Sequence, residues 1–286
     1  MDAKFTHYLI TRFNIKINGF GPEFVRPDAR TEDWEIGRLP FFEQFCAPSV
    51  TGQTSKNFYW FIYCDPSTEG QIIKKIKTAI QSIASAEIVF VSGFDEMVSH
   101  IQLTCANAQT PYVITSRLDN DDAIGIHYIE DIQSNFIPED QVILNLLGGV
   151  NYNVSDKVLT YHRHSLNNSF ISLIEMKKPA GELDTVMGFR HLTPKNTMTI
   201  KNIQSRYSFW MTLHHQNAAT RINLGWPIAL ATIIKHYNIN PDNVKISFLN
   251  TVMYTVRWFP GAMVKKIKYI YRSKVKPGRK LISSEA

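Results

Sequence analysis

Cysteine is scarce in this chain of 286 residues: there are three, Cys46, Cys64 and Cys105, each alone in apolar surroundings. Without a CxxC pair or Cys/His spacing there is no zinc or redox framework to read, and each thiol is expected in the core. Long apolar runs are missing as well. The richest, "FYWFIYC" at 58–64, is far shorter than the roughly 20 residues a membrane-crossing helix requires. The N-terminus lacks the basic head, apolar centre and small cleavage residues of a secretion signal, so a cytoplasmic location is expected. Repeats and low-complexity stretches, which would mark arrays or disorder, are absent too.

Acid is missing from one region in particular. Residues 264–280, "VKKIKYIYRSKVKPGRK", hold eight Lys/Arg and no acid, whereas the other 23 basic residues nearly balance the 25 acidic ones. On a helix over 262–272, Met263, Val264, Ile267, Ile270 and Tyr271 share one face, with Lys265, Lys266, Lys268 and Arg272 elsewhere. That pattern suits a helix on an anionic membrane surface, so peripheral attachment to the inner face of the cell membrane through residues 262–280 is one expectation. A helix packed on its own domain with its lysines in water is the other. Nucleic acid is not expected as a partner: no RNA-binding signature accompanies Tyr269 and Tyr271, and an acidic cluster upstream argues against a basic groove.

What is present alternates between strand and helix. "HYLITRF", "FYWFIYC", "EIVFV", "YVIT" and "QVILNLL" read as strands. The segments "FFEQFCAPSV", "GQIIKKIKTAIQSIAS", "FDEMVSHIQLTCANA" and "IHYIEDIQSNF" read as helices between them. This is the order of βαβ units and a largely parallel sheet with helices on both faces. Further on, "KVLTYHR", "FISLIE", "TVMGF" and "FWMTL" are expected as strands and "WPIALATIIKHY" as a helix, extending the sheet with a smaller mixed subregion.

The densest chemistry is "SRLDNDD", 116–122, directly behind the apolar "YVIT". In open α/β sheets, ligands bind at the carboxyl ends of strands, where Asp119, Asp121 and Asp122 would sit. Three adjacent carboxylates repel one another and need a compensating cation. Oxygen ligands alone favour a hard ion, Mg²⁺ or Mn²⁺. A simpler role is also open, in which Asp121 or Asp122 caps a helix beginning near Ala123.

"SRLDNDDAI" after a strand resembles the DxD motif of glycosyltransferases with the GT-A fold. With "LITRFN", "FFEQFCAPSVTGQT", "FYWFIYCD" and "NNSFISLIE" in order, residues 5–220 resemble a bacterial rhamnosyltransferase family of that fold. The resemblance implies a Rossmann-like GT-A domain: a nucleotide-sugar half over 1–125, an acceptor-side half over 126–230, and a helical segment with the basic tail over 231–286. It also implies transfer of a sugar, inverting its anomeric centre, from a nucleotide-sugar donor to a glycan or lipid-linked acceptor in bacterial surface polysaccharide or lipopolysaccharide synthesis. A metal held by the DxD motif would neutralise the departing diphosphate.

Carried onto this chain, Asp121 is the first metal ligand, Asp119 approaches the ribose or the metal, and Asp122 is a further ligand or a cap. Of the adjacent histidines in "WMTLHHQN", the family spacing favours His215 over His214 as a metal ligand, while His162, His164 and His191 rank lower. Thr11, Arg12 and Asn14 would meet the nucleotide, or merely end a strand in water. Asp65 would meet the base or cap the turn at "DPSTEG", and Arg117 would meet the sugar or form a structural ion pair. Glu175 is chosen as general base, with Asp184 as alternative and Glu182 nearby. Two rivals stay open: a metal-dependent phosphoesterase or nucleotidyltransferase, and a nucleic-acid-binding protein using the basic tail.

Overall fold

The unbroken apolar runs form the centre of the molecule. A computed structural model describes residues 3–15, 32–163, 168–189, 197–214 and 225–257. Strand β1 (Phe5–Arg12) is followed by α1 (Glu32–Phe41), a π-helical segment (Phe42–Cys46) and α2 (Ala47–Thr51). Next come β2 (Tyr59–Cys64), α3 (Gly70–Ile80), β3 (Ala86–Phe90), α4 (Phe94–Ala106) and β4 (Tyr112–Arg117). Past a short β5 (Ala123–Ile124), α5 (Tyr128–Ser134) leads to β6 (Val142–Leu146), β7 (Gly149–Asn153), β8 (Val158–His162) and β9 (Ile171–Met176). The described chain finishes with β10 (Thr199–Ile203), β11 (Phe209–Leu213), β12 (Trp226–Pro227), α6 (Leu230–Ile233) and α7, residues 248–257.

Seven strands form one sheet in the order β10-β6-β9-β4-β1-β2-β3, parallel throughout except for β9. The expected α/β architecture with a largely parallel sheet is therefore the observed one. Alternation along the central strands sends Leu9, Trp60, Ile62 and Ile114 into one core layer and Tyr8, Ile10, Phe61, Tyr63 and Val113 into the other. Helix α3 covers the first with Ile72, Ile76 and Ile80, spaced by four and backed by exposed lysines. Helix α4 covers the second with Met97, Ile101 and Cys105. All three cysteines are free and buried.

A second, mixed sheet, β12-β8-β7-β11-β5, packs Val150, Tyr152, Leu159 and Trp210 against Phe45, Ile233 and Tyr237. Chain order reverses between β1 and β4, because β2 and β3 lie on one side of β1 while β4 lies on the other. The carboxyl ends of these two strands thus mark the switch point, and the four residues Asp119–Asp122 carry the chain from there into the second sheet.

Two expected elements differ. "TVMGF" (185–189) is a turn: Thr185 sits at φ 53°, and the Val186 N–H donates to the Thr115 hydroxyl at 2.8 Å rather than to a neighbouring strand. "WPIALATIIKHY" is helical only from Leu230; Trp226–Pro227 pairs with β8 at the sheet edge, the place where proline's missing N–H is tolerated. The basic segment 262–280, together with His164, His191 and His215, lies outside the described residues.

Candidate active site at the switch point

At the end of β4 the Leu118 N–H still bonds the Ile10 carbonyl of β1, after which the chain turns, with the Asp122 N–H donating to Asp119 O at 3.2 Å. No helix starts here. Ala123–Ile124 pairs with β11 instead, and α5 begins at Tyr128, so neither Asp121 nor Asp122 is a helix cap. Downstream, Gln53 at the end of α2 donates to Gly125 O at 2.8 Å and accepts from the Ile129 N–H at 3.0 Å, clamping the segment that leaves the turn.

The three carboxylates point to three different partners. Asp119 is held by a fork from Arg117, Nη2 to Oδ2 at 3.0 Å and Nε to Oδ1 at 3.3 Å, and by Arg12 from the end of β1 at 3.5 Å. Asp121, deeper, forms an ion pair with Arg38 of α1, and its Oδ2 lies 3.0 Å from His214 Nε2 just past β11. Asp122 accepts the Thr212 N–H at 2.8 Å. Between them, Asn120 donates to Phe13 O at 2.7 Å and accepts from Arg38 at 3.4 Å. The His214 ring is stacked on Phe41, centroids 4.2 Å apart.

Helix α1 can present both Arg38 and Phe41 because they lie three residues apart on one face. Pro40, which cannot donate to the preceding turn, falls between them, and the backbone widens into the π segment immediately afterwards.

Electrostatics follows from this pairing. Burial works to raise the Asp119 carboxyl, but Arg117 and Arg12 outweigh it and hold the group well below the usual carboxylate range. Asp122 goes the other way: burial first, then the neighbouring Asp121 and Asp119, push it well above its ordinary value. The Cys46 thiol beneath is pushed up by burial and by the same carboxylates, which leaves it a neutral core group. Solvent reaches the site from the Asp119 side, where the Asp119 side chain is 29 % exposed and Arg12 and Arg117 are 19 % and 17 % exposed; Arg38 and Asp121 form the closed floor.

These partners bear on the expected metal. Among the described residues no group of three or more His, Cys, Asp or Glu side chains is arranged to hold a metal ion. Asp121 and His214 are suitable donor types side by side, but the Arg38 guanidinium stands against the Asp121 carboxylate, and both Asp119 oxygens face Arg117. As arranged, the donors among the described residues face arginines rather than one shared cation position. For Asp119 and Asp121 the compensation that adjacent acids require comes from arginines, while Asp122 is pushed toward its neutral form.

The other expected site residues divide sharply. Arg12, Arg117, Asp119, Asp121 and Asp122 converge. Thr11 does not open onto the site: it is fully buried, and its hydroxyl accepts the Trp60 indole N–H at 3.0 Å. Asn14 and Asp65 lie beside each other, tying β1 to β2 through Asp65 N–H to Asn14 Oδ1 at 2.8 Å. The Asp65 carboxylate accepts the Ser67 N–H at 2.9 Å, which is the turn-capping role.

Glu175 and Asp184 sit at the far end of the sheet. Glu175 pairs in register with Val113, six residues before Asp119 and so roughly 20 Å away at about 3.3 Å per strand residue. Its carboxylate is buried and accepts the N–H groups of Asp184 and Thr185 at 2.8 and 2.9 Å, while Asp184 accepts from Gln141. Neither carboxylate reaches the switch point as a base. His162 bonds Asn151 on the second sheet, away from the cluster.

Arg38, Phe41 and Asn120 were not expected; His214 lies against Asp121, and His215, which the family spacing favoured, is outside the described residues. The one local hint for Arg38 was a lone arginine in the apolar "EIGRLPFF". A buried charge of that kind demands a partner without naming it.

An open, largely parallel sheet with a charged site at its switch point is the layout of α/β enzymes that bind nucleotides. The chain belongs to the family described as "Putative rhamnosyl transferase", whose model matches residues 28–225. No curated protein matches it. Among solved structures it is similar to S. aureus TarS 1-349, with 12 % identity, 72 % of this chain and 60 % of that chain covered, and a TM-score of 0.38. It is also similar to HddC from Yersinia pseudotuberculosis, with 13 % identity, coverage of 71 % and 92 %, and a TM-score of 0.36. The chain spans about three-fifths of the TarS fragment.

Proposed function

We propose that this chain transfers a sugar from a nucleoside-diphosphate sugar bound over the carboxyl ends of β1 and β4 to a glycan or lipid-linked acceptor of bacterial surface polysaccharide synthesis. A rhamnosyl donor is the first candidate, since the family description names one. The observation that carries the reading is the convergence of Arg12 and Arg117 on Asp119 at the switch point, open to solvent, in a chain of this family.

A leaving diphosphate gains negative charge as the glycosidic bond breaks. Two guanidinium groups gathered by one carboxylate bring positive charge and N–H donors to the place where the diphosphate oxygens would gain charge, which favours the leaving group. Asp119, acceptor-only when ionised, would take a ribose or sugar hydroxyl. Arg38, Asp121 and His214 act as the rigid floor under the turn. Inversion of the anomeric centre belongs to the same proposal and is read by NMR of the product.

The test is calorimetric binding of UDP, GDP, dTDP and CMP, with Mn²⁺ or with EDTA, to the wild type and to Arg117→Ala. Binding of one diphosphate in EDTA, weakened tenfold or more by Arg117→Ala, is the expected result. Binding that requires Mn²⁺ and is lost in Asp121→Asn or His214→Ala would replace the arginine account with a metal-dependent one. No nucleotide binding by folded protein would overturn the transferase reading and leave the phosphoesterase class, tested by hydrolysis of phosphate esters.

A further inference from the structure

Helix α7 (residues 248–257) is docked the wrong way round for a core helix. The side facing the protein is polar: Asn250 donates to Asp156 O at 2.7 Å, and the Tyr254 hydroxyl takes the Gly225 N–H at 3.2 Å. The apolar residues face out, with Phe248 83 % exposed, Leu249 67 %, Val252 43 %, Met253 42 % and Val256 66 %. At about 100° per residue these five fill one unbroken arc of roughly 140°, and Asn250 and Tyr254 lie on the opposite side. An apolar stripe this continuous on a protein surface marks an interaction site.

We propose that this face of α7 docks on an anionic lipid bilayer, its apolar arc entering the interface between headgroups and acyl chains. Charge names the occupant. From Asn243 to Ser284 the chain holds ten Lys/Arg and no acid, with Lys245 just before the helix and Arg257 within it, both exposed. The basic stretch 264–280 begins seven residues after Arg257, the last described residue of the helix, so cationic and apolar stretches are close in sequence.

Each of the other occupants matches only half of this. Nucleic acid would use the cations and, of the exposed arc, only the Phe248 ring, but finds nothing in Leu249, Val252, Met253 and Val256, since its affinity comes from phosphate contacts and stacking. A second copy would bury the aliphatic arc but would bring two acid-free segments together. A bilayer with anionic headgroups satisfies both. The inference does not depend on the transferase reading.

The experiment is flotation of the full chain with vesicles of phosphatidylcholine alone and of phosphatidylcholine with phosphatidylglycerol. The wild type is expected to float with the anionic vesicles at least tenfold more than with the neutral ones. The variant Phe248→Ser/Val252→Ser/Val256→Ser, altered only at exposed positions, is expected to lose at least tenfold of that binding with its circular dichroism melt unchanged. A second variant, Leu249→Ser/Met253→Ser, should show the same loss and guards against misfolding of the first. Failure of the wild type to float would overturn the proposal, as would unchanged flotation of both variants. Wild-type dimers that the variants dissociate without any vesicle binding would assign the face to a second copy, and salt-sensitive RNA retention without vesicle binding would assign the segment to nucleic acid.

Discussion

Arg38 and Asp121 bury opposite charges together, so removing one strands the other. Arg38→Ala is expected to lower the unfolding free energy by about 3–5 kcal/mol, measured by urea denaturation. Adding Asp121→Asn should recover much of the loss, because the uncompensated charge goes with it. Glu175 provides the contrasting case. Glu175→Gln keeps one acceptor oxygen for two backbone donors, so it should cost about 1–3 kcal/mol of stability and leave nucleotide affinity unchanged. At this scale the acidic turn was legible, because three carboxylates behind an apolar strand contradict their surroundings. Its partners were not: His214 is 93 positions from Asp121, and Arg38 is 82 from Asn120. No local pattern links residues that only a folded sheet brings together. Glu175 misled for the same reason, since a glutamate at the end of a strand reads alike at either edge of a sheet.

Between elements, a polar chain runs through the centre of the large sheet. Gln133 of α5 donates to His7 Nδ1 at 3.3 Å, leaving the proton on Nε2 to reach Ser116 of β4 at 2.7 Å, and Ser116 meets Ser172 of β9. Burial lowers the His7 pKa from 6.5 to about 3, so the ring is neutral in the native protein. A depressed folded value means that its contribution to stability is complete above about pH 6.5 and is lost as pH falls toward 3. His7→Gln, which does not titrate, is therefore expected to flatten the pH dependence of the melting temperature between pH 6 and 4. The long apolar strands and α3 could be read directly, since burial on two faces or on one leaves a period in the sequence. The two-residue strands β5 and β12 carry no period. "TVMGF" carries the right residues for a strand, but the Thr115 hydroxyl and the Glu175 carboxylate capture the backbone N–H groups that a strand partner would need.

Across the whole molecule, the turn proposed to bind the nucleotide is also the turn that joins the two sheets. A nucleotide held by Arg12 and Arg117 should slow hydrogen exchange at the ends of β1 and β4, in β5 and in the last residues of β11. Exchange around Glu175 and Asp184, at the other end of the large sheet, should stay unchanged; protection appearing there instead would move the site. The junction is also sterically tight. A Cβ on Gly125 would overlap the Tyr207 carbonyl oxygen, so Gly125→Ala should destabilise by about 1–3 kcal/mol or more, read by thermal melting.

Composition, apolar periodicity and one dense run of acid were enough to determine an α/β sheet and the strand end where its charged side chains gather. They act through neighbours in sequence, where burial and like-charge repulsion leave local marks. The answer to that repulsion came only from tertiary structure. Strand order placed β1 beside β4, and a parallel sheet set Arg12 against Asp119. The crossing of α1 and β11 carried Arg38 and His214 to Asp121. Charge compensation between distant segments depends on distance in space, which the order of residues along the chain does not record.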